Sequence, residues 1–197
     1  GIDELKKKAT YVTTDADKDG IYNACLHYGW IKERYLLALD MDGTLLKSDK
    51  TISPNTAASL IEANKRGQSI CLCTGRGLAE LKDYEGELDF CDYGILLSGC
   101  LIYDFKNDQP LEVHSFDTDV FTQMMDIVKK EDVMLYLLDS SHSIASQKDV
   151  ENMPYYNMAI YQSMFESRAF IVEDIYEYAE VHKDEILKFC LYNPSVD

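Results

Sequence analysis

Hydrophobic residues in this chain gather in short runs separated by stretches with helical spacing. Near-continuous apolar runs are typical of parallel strands that are covered on both faces. The runs that predict buried strands are residues 35–39, 69–73 and 93–97. Between the first two runs, Ser53, Pro54 and Gly67 predict a helix with an N-cap, a proline in its first turn and a glycine at its end. Strands joined by a helix in this way predict an α/β fold with a parallel sheet.

The second half of the chain has a mixed pattern, and its character changes near Asp117. The predicted elements are a β-hairpin of residues 101–105 and 111–116, a helix capped by Thr118, a strand at 133–138, a helix favoured over 170–181 and a strand at 186–192. Residues 139–165 show little period. We therefore expect residues 31–117 and residues 118–197 to form two units, the second of α+β type.

Composition argues against several classes of function. Of the 197 residues, 46% are hydrophobic, which is enough for one substantial core or two small ones. The formal net charge of −16 argues against nucleic acid or an anionic membrane surface as a partner. The six cysteines lie mostly in apolar surroundings and predict reduced thiols of a cytoplasmic protein. No apolar run reaches membrane-spanning length, and no signal peptide opens the sequence.

Two carboxylates follow the first predicted strand. Asp40 and Asp42 stand at its C-terminal end, and Gly43 permits a sharp turn there. In open α/β sheets, ligands bind at the carboxyl ends of the strands. Two acids at this point repel each other, and a divalent cation is the simplest compensation. The alternative is an acidic turn in which Asp42 caps the next segment.

The sequence Asp-Met-Asp-Gly-Thr-Leu at residues 40–45 resembles the first motif of the haloacid dehalogenase-like (HAD) phosphatases. The resemblance implies that Asp40 is a nucleophile that forms an aspartyl-phosphate, and that Asp42 is the general acid and base. It also implies a Mg²⁺ ion bound by Asp40 and Asp42. A carboxylate held ionised beside Mg²⁺ is suited to splitting hydrolysis into two steps.

The segment Thr74-Gly75-Arg76 after the second predicted strand resembles the second motif of this family. The resemblance implies that these residues bind the phosphate or the substrate. A hydroxyl and the nearby backbone N–H groups can hold a transferring phosphoryl group. The alternative for Thr74 is an N-cap of the helix that begins near Gly77, and the alternative for Arg76 is a surface ion pair.

Further resemblance points to the Cof-type branch. Ser98-Gly99-Cys100, after the third predicted strand, resembles the Asn-Gly-Ala loop of that branch, which implies substrate binding by Ser98 and Gly99. A serine reaches less far than an asparagine. Residues 118–197 resemble the cap that the family inserts after its third core strand, which covers the site and selects the substrate. The expected fold is therefore α/β, a HAD-like Rossmannoid core with a parallel sheet and an incomplete α+β cap.

Two of the four family motifs have no match in this sequence. The fourth motif, an acidic Gly-Asp-x-x-Asn-Asp loop, does not occur after Asp104. The third motif of the family is a lysine; Lys188 falls inside a predicted cap strand, where we interpret it as structural. We expect a Mg²⁺-dependent phosphatase of small phosphorylated metabolites such as sugar phosphates, with weak or no activity in this chain alone. The alternative is a degenerate, non-catalytic module that binds a phosphorylated ligand or a protein partner.

The acidic segment at residues 15–20 matches the first half of a calcium-binding EF-hand loop. The match fails at Leu26, where the loop needs a bidentate glutamate. Calcium binding is therefore the weaker interpretation of this segment.

Residues 1–30 also fit a simpler pattern. They predict a strand over residues 10–13 and a helix over residues 20–27 capped by Asp19. This segment resembles the C-terminal end of a Cof-type core, although here it precedes the first motif. The resemblance implies a permuted or a tandem arrangement, and a segment that packs beside the predicted sheet.

Overall fold

The computed structural model describes residues 3–30 and 34–194, and it contains two β-sheets. The core sheet consists of β1 (Leu36–Asp40), β2 (Ser69–Cys73), β3 (Tyr93–Leu96), β4 (Leu101–Asp104) and β5 (Gln109–Val113). The second sheet, which we call the cap sheet, consists of β6 (Met134–Leu138), β7 (Ser143–Ser146), β8 (Phe170–Val172) and β9 (Lys188–Tyr192). The strand order is β1-β2-β3-β4-β5 in the core sheet and β8-β7-β6-β9 in the cap sheet.

Eight α-helices are described in these residues. In chain order they are α1 (Asp3–Lys8), α2 (Gly20–His27), α3 (Pro54–Lys65), α4 (Leu78–Leu81), α5 (Thr118–Val128), α6 (Gln147–Glu151), α7 (Gln162–Arg168) and α8 (Ile175–Val181). None of the helices in the described residues has the length and apolar character that crossing a membrane requires.

The core sheet has the predicted parallel arrangement in its first three strands. β1 pairs with β2 and β2 pairs with β3 in parallel, whereas β4 and β5 form the predicted antiparallel hairpin. The register places Asp40 opposite Cys73 and Cys73 opposite Ile95. The carboxyl ends of the three parallel strands therefore meet at one edge of the sheet.

The predicted burial of the first strand on both faces is wrong. Tyr35 and Leu36 are 59% and 60% exposed, and only Leu37 and Leu39 pack against the core. In β2, by contrast, Ile70 is fully buried. Exposed and partly buried residues alternate along this edge strand, so one of its faces packs against the core and the other is left uncovered by the described residues.

The structure corrects three expectations about the N-terminal segment. The predicted strand over residues 10–13 is wrong, because Thr13 and Thr14 donate their hydroxyl groups to the carbonyls of Gly20 (2.5 Å) and Lys18 (2.6 Å) and so fix a local loop. Helix α2 has the predicted bounds, but Asp19 provides no side-chain cap and has a left-handed backbone with φ of 56°. The segment does not pack against the sheet as expected: none of residues 3–30 belongs to the hydrophobic clusters of the core and cap.

The cap also differs from the predicted pattern in its details. Residues 139–165 contain β7, α6 and the start of α7, although their sequence shows little period. The segment at 170–181 begins as the short strand β8 and continues as α8, so the helix prediction is wrong for its first residues. Asp117 rather than Thr118 caps α5, and its carboxylate accepts hydrogen bonds from the backbone of Asp119 (3.1 Å) and Val120 (3.3 Å).

The core and cap share one large hydrophobic cluster. Met41 and Leu97 from the core belong to it together with Tyr136, Leu138 and Phe165 from the cap, and all five side chains are buried. The cap sheet is therefore packed directly against the core. The division at residues 117 and 118 remains a prediction.

All six cysteines are unpaired, as predicted. Burial raises the pKa of Cys71 to about 11 and that of Cys91 to about 12. These two thiols are therefore protonated at neutral pH and are poor nucleophiles.

A buried carboxylate links three elements beneath the sheet. Asp92 is 2% exposed; it accepts hydrogen bonds from the Ile70 amide (2.8 Å) and from the Asn64 side chain (2.9 Å), and it forms an ion pair with Lys106. Burial alone would raise the pKa of Asp92, but the bonds from Lys106, Ile70 and Asn64 outweigh it and hold the pKa below its usual range. Asp92 is therefore ionised at neutral pH, and its carboxylate is held by these hydrogen bonds and the ion pair.

We expect Asp92→Asn to lower the free energy of unfolding by about 2 kcal/mol at neutral pH, because it turns an amide donor toward buried donors. The folded-state pKa of Asp92 is lowered, so its stabilisation is present above the unfolded value of about 4 and disappears as pH falls through the folded value. Urea unfolding at several pH values tests this, with the exposed Asp89→Asn as the control. A difference between wild type and Asp92→Asn that does not shrink in acid would contradict the account.

Candidate active site

The predicted site residues gather where three parallel strands end. Asp40 is the last residue of β1, Thr74 follows β2 directly, and Ser98 follows β3 by two residues. Neighbouring strands lie about 4.8 Å apart. Backbone hydrogen bonds join the two later loops, from Thr74 to the carbonyl of Ile95 (2.9 Å) and from Ser98 to the carbonyl of Thr74 (3.2 Å). The structure thus brings the predicted residues together at one edge.

Asp40 presents a free carboxylate at this edge. Its side chain accepts one hydrogen bond, from the Thr44 hydroxyl at 3.1 Å, and it forms no ion pair with any residue that the structure describes. The turn after β1 is closed by a bond from the Leu45 amide to the Asp40 carbonyl (3.1 Å). An exposed, unneutralised carboxylate in a fixed turn can act as a nucleophile or bind a cation.

Asp42 is held by two cations. Arg76 binds the Asp42 carboxylate through two nitrogens, Nε at 3.0 Å and Nη2 at 2.9 Å. The Nζ atom of Lys50, in the loop of residues 47–51 that follows the first motif, lies 2.8 Å from the same carboxylate. The hydrogen bond from Arg76 is the largest influence; with Lys50, it outweighs burial and holds the pKa of Asp42 at about 2. Arg76 also lies over the ring of Tyr84, 5.6 Å from its centroid. The Arg76 ion pair is therefore part of the site.

The alternative role of Thr74 as a helix N-cap does not hold. Helix α4 begins at Leu78, directly after Gly77, and the Gly77 amide donates to the Glu80 carboxylate at 2.8 Å. The Thr74 hydroxyl instead accepts a bond from the Arg76 amide at 3.2 Å, which shapes the loop between β2 and α4. Thr74 is therefore a buried residue of the loop at the strand end and not a helix cap.

The loop after β3 adopts an unusual backbone conformation. Leu97, Ser98 and Gly99 have φ values of 52°, 61° and 103°, and Leu97 is fully buried. Left-handed conformations are costly for residues other than glycine and persist where their surroundings impose them, often at functional sites. Here the Leu97 amide donates to the Arg76 carbonyl at 3.0 Å, so the two loops hold each other.

Lys188 contacts two loops at this edge, a contact that the sequence did not predict. The predicted strand at this position is confirmed, and the Lys188 amine reaches the core, where it donates to the Gly75 carbonyl at 2.7 Å and lies 3.4 Å from the Ser98 hydroxyl. The sequence carries no signal for this contact, because it depends on the register of β9 and on how the cap packs against the core.

The oxygens at the first motif suit part of a magnesium site. Mg²⁺ is usually bound by one or two carboxylates together with waters and phosphate oxygens, and the Asp40 carboxylate and the Asp42 carbonyl are ligands of that kind. The Asp42 carboxylate is already bound by Arg76 and Lys50. Across residues 3–30 and 34–194, no group of three or more His, Cys, Asp or Glu side chains could hold a metal ion, which leaves the EF-hand interpretation of residues 15–20 without support.

Comparison with known proteins identifies the lineage. A sequence model described as haloacid dehalogenase-like hydrolase matches residues 37–196. The chain belongs to the haloacid dehalogenase-like hydrolases. The predicted family and its Cof-type character are thereby confirmed, together with the α/β fold class.

Relatives of this HAD chain include two curated proteins of Bacillus subtilis (strain 168). The putative phosphatase YxeH is 28% identical over 130 residues, which cover 64% of this chain and 48% of that protein. The 5-amino-6-(5-phospho-D-ribitylamino)uracil phosphatase YitU is 34% identical over 100 residues, which cover 50% of this chain and 37% of that protein. The chain thus spans half or less of the length of these relatives.

A solved structure supports the HAD fold. The crystal structure of TM0651 from Thermotoga maritima matches with a TM-score of 0.60 at 18% identity, covering 82% of this chain and 56% of that one. The likeness therefore covers most of this chain, and it concerns the fold alone.

Proposed function

We propose that this HAD chain is a Mg²⁺-dependent phosphatase of small phosphorylated metabolites, such as sugar phosphates, and that it works through an aspartyl-phosphate on Asp40. The observation that carries the proposal is the free carboxylate of Asp40 at the edge where the loops of Thr74 and Ser98 also meet. The names of curated relatives, which include a ribitylaminouracil phosphatase and an HMP-PP phosphatase, support the substrate class. The six unpaired cysteines support a cytoplasmic location.

In the first step, a carboxylate oxygen of Asp40 attacks phosphorus, and the bond to the leaving alcohol oxygen breaks while Asp42 gives that oxygen a proton. In the second step, Asp42 takes a proton from water as the water oxygen attacks phosphorus. The phosphorus–Asp40 bond then breaks, which releases inorganic phosphate and restores the carboxylate. Thr74 and the backbone amides of its loop bind the phosphoryl oxygens.

Asp42 must gain a proton before it can act as an acid, and its ion pairs oppose this. A phosphate monoester carries up to two negative charges and competes with Asp42 for Arg76 and Lys50. As these cations turn to the substrate, the pKa of Asp42 rises from about 2 toward its usual range. Substrate binding thus removes the contacts that oppose protonation of Asp42, and Arg76 serves as a phosphate-binding residue.

The Asp40 carboxylate and the Asp42 carbonyl would hold the Mg²⁺ ion. When bound, the ion supplies positive charge that offsets the repulsion between the Asp40 carboxylate and the phosphate dianion.

A non-catalytic module that binds a phosphorylated ligand or a protein partner is the second candidate. The observation that favours it is the pairing of Asp42 with two cations, since a carboxylate held ionised in this way is a poor acid. Thermal stabilisation by phosphate esters without their hydrolysis would support this candidate.

Phosphate release from a panel of small phosphate esters tests the proposed activity. We expect weak release with Mg²⁺, since two family motifs have no match in this chain, with loss of release in EDTA and recovery with excess Mg²⁺, because Asp40 needs a cation to approach a dianion. Release that continues unchanged in EDTA would contradict the metal requirement. Absence of release with every ester would contradict the proposed activity for this chain.

A further inference from the structure

The amine of Lys188 lies over the loop between β2 and α4. In the cap sheet, Lys188 pairs with Leu138, and its side chain crosses to the core, where Nζ is 2.7 Å from the Gly75 carbonyl and 3.4 Å from the Ser98 hydroxyl. A Cβ atom added to Gly75 would lie 3.3 Å from Nζ and 3.4 Å from the Ser98 hydroxyl oxygen. The amine therefore sits directly between the two loops that end β2 and β3.

This amine has no charge partner. Lys188 forms no ion pair with any carboxylate in the described part of the chain, and its two hydrogen-bond partners are neutral oxygens. The other cations at this edge, Arg76 and Lys50, are both bound to Asp42. An ammonium group has three donors, so at least one N–H of Lys188 remains for a ligand.

The charge of the whole chain makes this position unusual. Acidic residues outnumber basic ones by 35 to 19, and yet the cap directs an unpaired cation at a loop of the core. A cation held without a counter-ion beside a backbone carbonyl and a hydroxyl favours an anion.

We infer that Lys188 binds the phosphate group of the substrate and is the phosphate-binding residue that the cap contributes to the site. The inference rests on the proposed phosphatase function, because it takes the ligand of this edge to be a phosphate ester. A phosphate oxygen accepts a charge-assisted bond from Nζ and replaces the long contact to the Ser98 hydroxyl. Because β9 delivers the amine, phosphate is bound firmly only when the cap is packed on the core.

A structural tether is the alternative role for the same contact. In that case the bond between Lys188 and the Gly75 carbonyl only holds the cap to the core. Its loss would lower the melting temperature and leave phosphate binding unchanged. The two roles therefore predict different changes on substitution: weaker phosphate binding for the first, and only a lower melting temperature for the tether.

The test compares Lys188→Met, Lys188→Arg and the control Lys183→Met. Lys183 is another lysine of the cap half; it forms an ion pair with Glu180 at 3.2 Å, and its substitution changes the net charge equally. Titration calorimetry measures the Kd for inorganic phosphate in the presence of Mg²⁺, steady-state assays with a phosphate ester measure KM, and thermal melts without phosphate measure stability.

We expect Lys188→Met to weaken phosphate binding and to raise KM by roughly tenfold to a hundredfold. Lys188→Arg retains part of the binding, and Lys183→Met matches the wild type. A lower melting temperature with unchanged Kd and KM would establish the tether and overturn the inference.

The outcomes separate this inference from the proposed function. Unchanged Kd and KM in Lys188→Met, with wild-type turnover intact, would overturn the role of Lys188 and leave the phosphatase standing. A wild-type chain without turnover whose phosphate binding depends on Lys188 would overturn the phosphatase and leave the binding role. A wild-type chain that neither hydrolyses esters nor binds phosphate would overturn both.

Discussion

Asp40→Asn is expected to reduce kcat for phosphate release by roughly 10⁴-fold or more, the largest loss among the substitutions considered. An amide has neither the charge nor the nucleophilic oxygen that attack on phosphorus needs. The fold should tolerate the change, because the Asp40 side chain accepts only one bond, from Thr44, and forms no ion pair within the described residues. Phosphate release with Mg²⁺, measured beside a thermal melt, tests this expectation.

The matched control is Asp49→Asn in the neighbouring loop of residues 47–51. Asp49 bonds to Lys47 and Thr51, lies outside the proposed chemistry, and loses the same charge on substitution. We expect the control to keep nearly all of the wild-type turnover. Turnover in Asp40→Asn within a few-fold of the wild type would remove Asp40 as the nucleophile.

Asp42→Asn is expected to lower kcat by roughly 10²- to 10⁴-fold, because an asparagine can neither protonate the leaving oxygen nor accept a proton from water. The loss should depend on the leaving group. With p-nitrophenyl phosphate, whose leaving group needs little protonation, the first step should continue and the second should stall. The phosphorylated chain should therefore accumulate.

A change in folding stability would not account for the expected loss of kcat in Asp42→Asn. The ion pairs of Asp42 are partly exposed, and pairs of this kind contribute about 1 kcal/mol or less. Chemical denaturation of Asp42→Asn should therefore give a curve close to that of the wild type. An equal loss with all leaving groups, and no accumulated phosphorylated chain, would contradict the acid and base role.

The sequence was sufficient to predict the part of the site that depends on local chain order. Asp40, Thr74 and Ser98 each follow an apolar run directly, and parallel strands place their carboxyl ends at one edge, so no long-range detail was needed. Helix α3 was equally predictable from the sequence, since Pro54 marks its start and Gly67, with φ of 89°, lies just beyond its end.

Long-range packing explains the incorrect predictions. The apolar run at β1 is typical of a strand buried on both faces, but its burial depends on what packs against each face, and Leu36 lies on the exposed face. The three residues of β8 are too few to show a period, so the following helix dominated the prediction. In the N-terminal segment, the hydroxyl bonds of Thr13 and Thr14 overrode a pattern typical of a strand.

The cation contacts show the same limit inside the site. Arg76 and Asp42 are 34 positions apart and meet because β1 and β2 are neighbours, whereas Lys188 reaches Gly75 across 113 positions through the cap. The family resemblance implied a binding role for Arg76, and the predicted strand around Lys188 favoured a structural role for it. The charge arrangement of the site became visible only in the fold.

The most direct test of the central claim is intact-mass spectrometry of this chain after acid quench, following incubation with Mg²⁺ and p-nitrophenyl phosphate. The account predicts the added mass of one phosphoryl group on the wild-type chain, assigned to Asp40 by peptide mapping, more of it on Asp42→Asn, and none on Asp40→Asn. Phosphate release from a wild-type chain that never carries a phosphoryl group, or a phosphoryl group on Asp40→Asn, would contradict it.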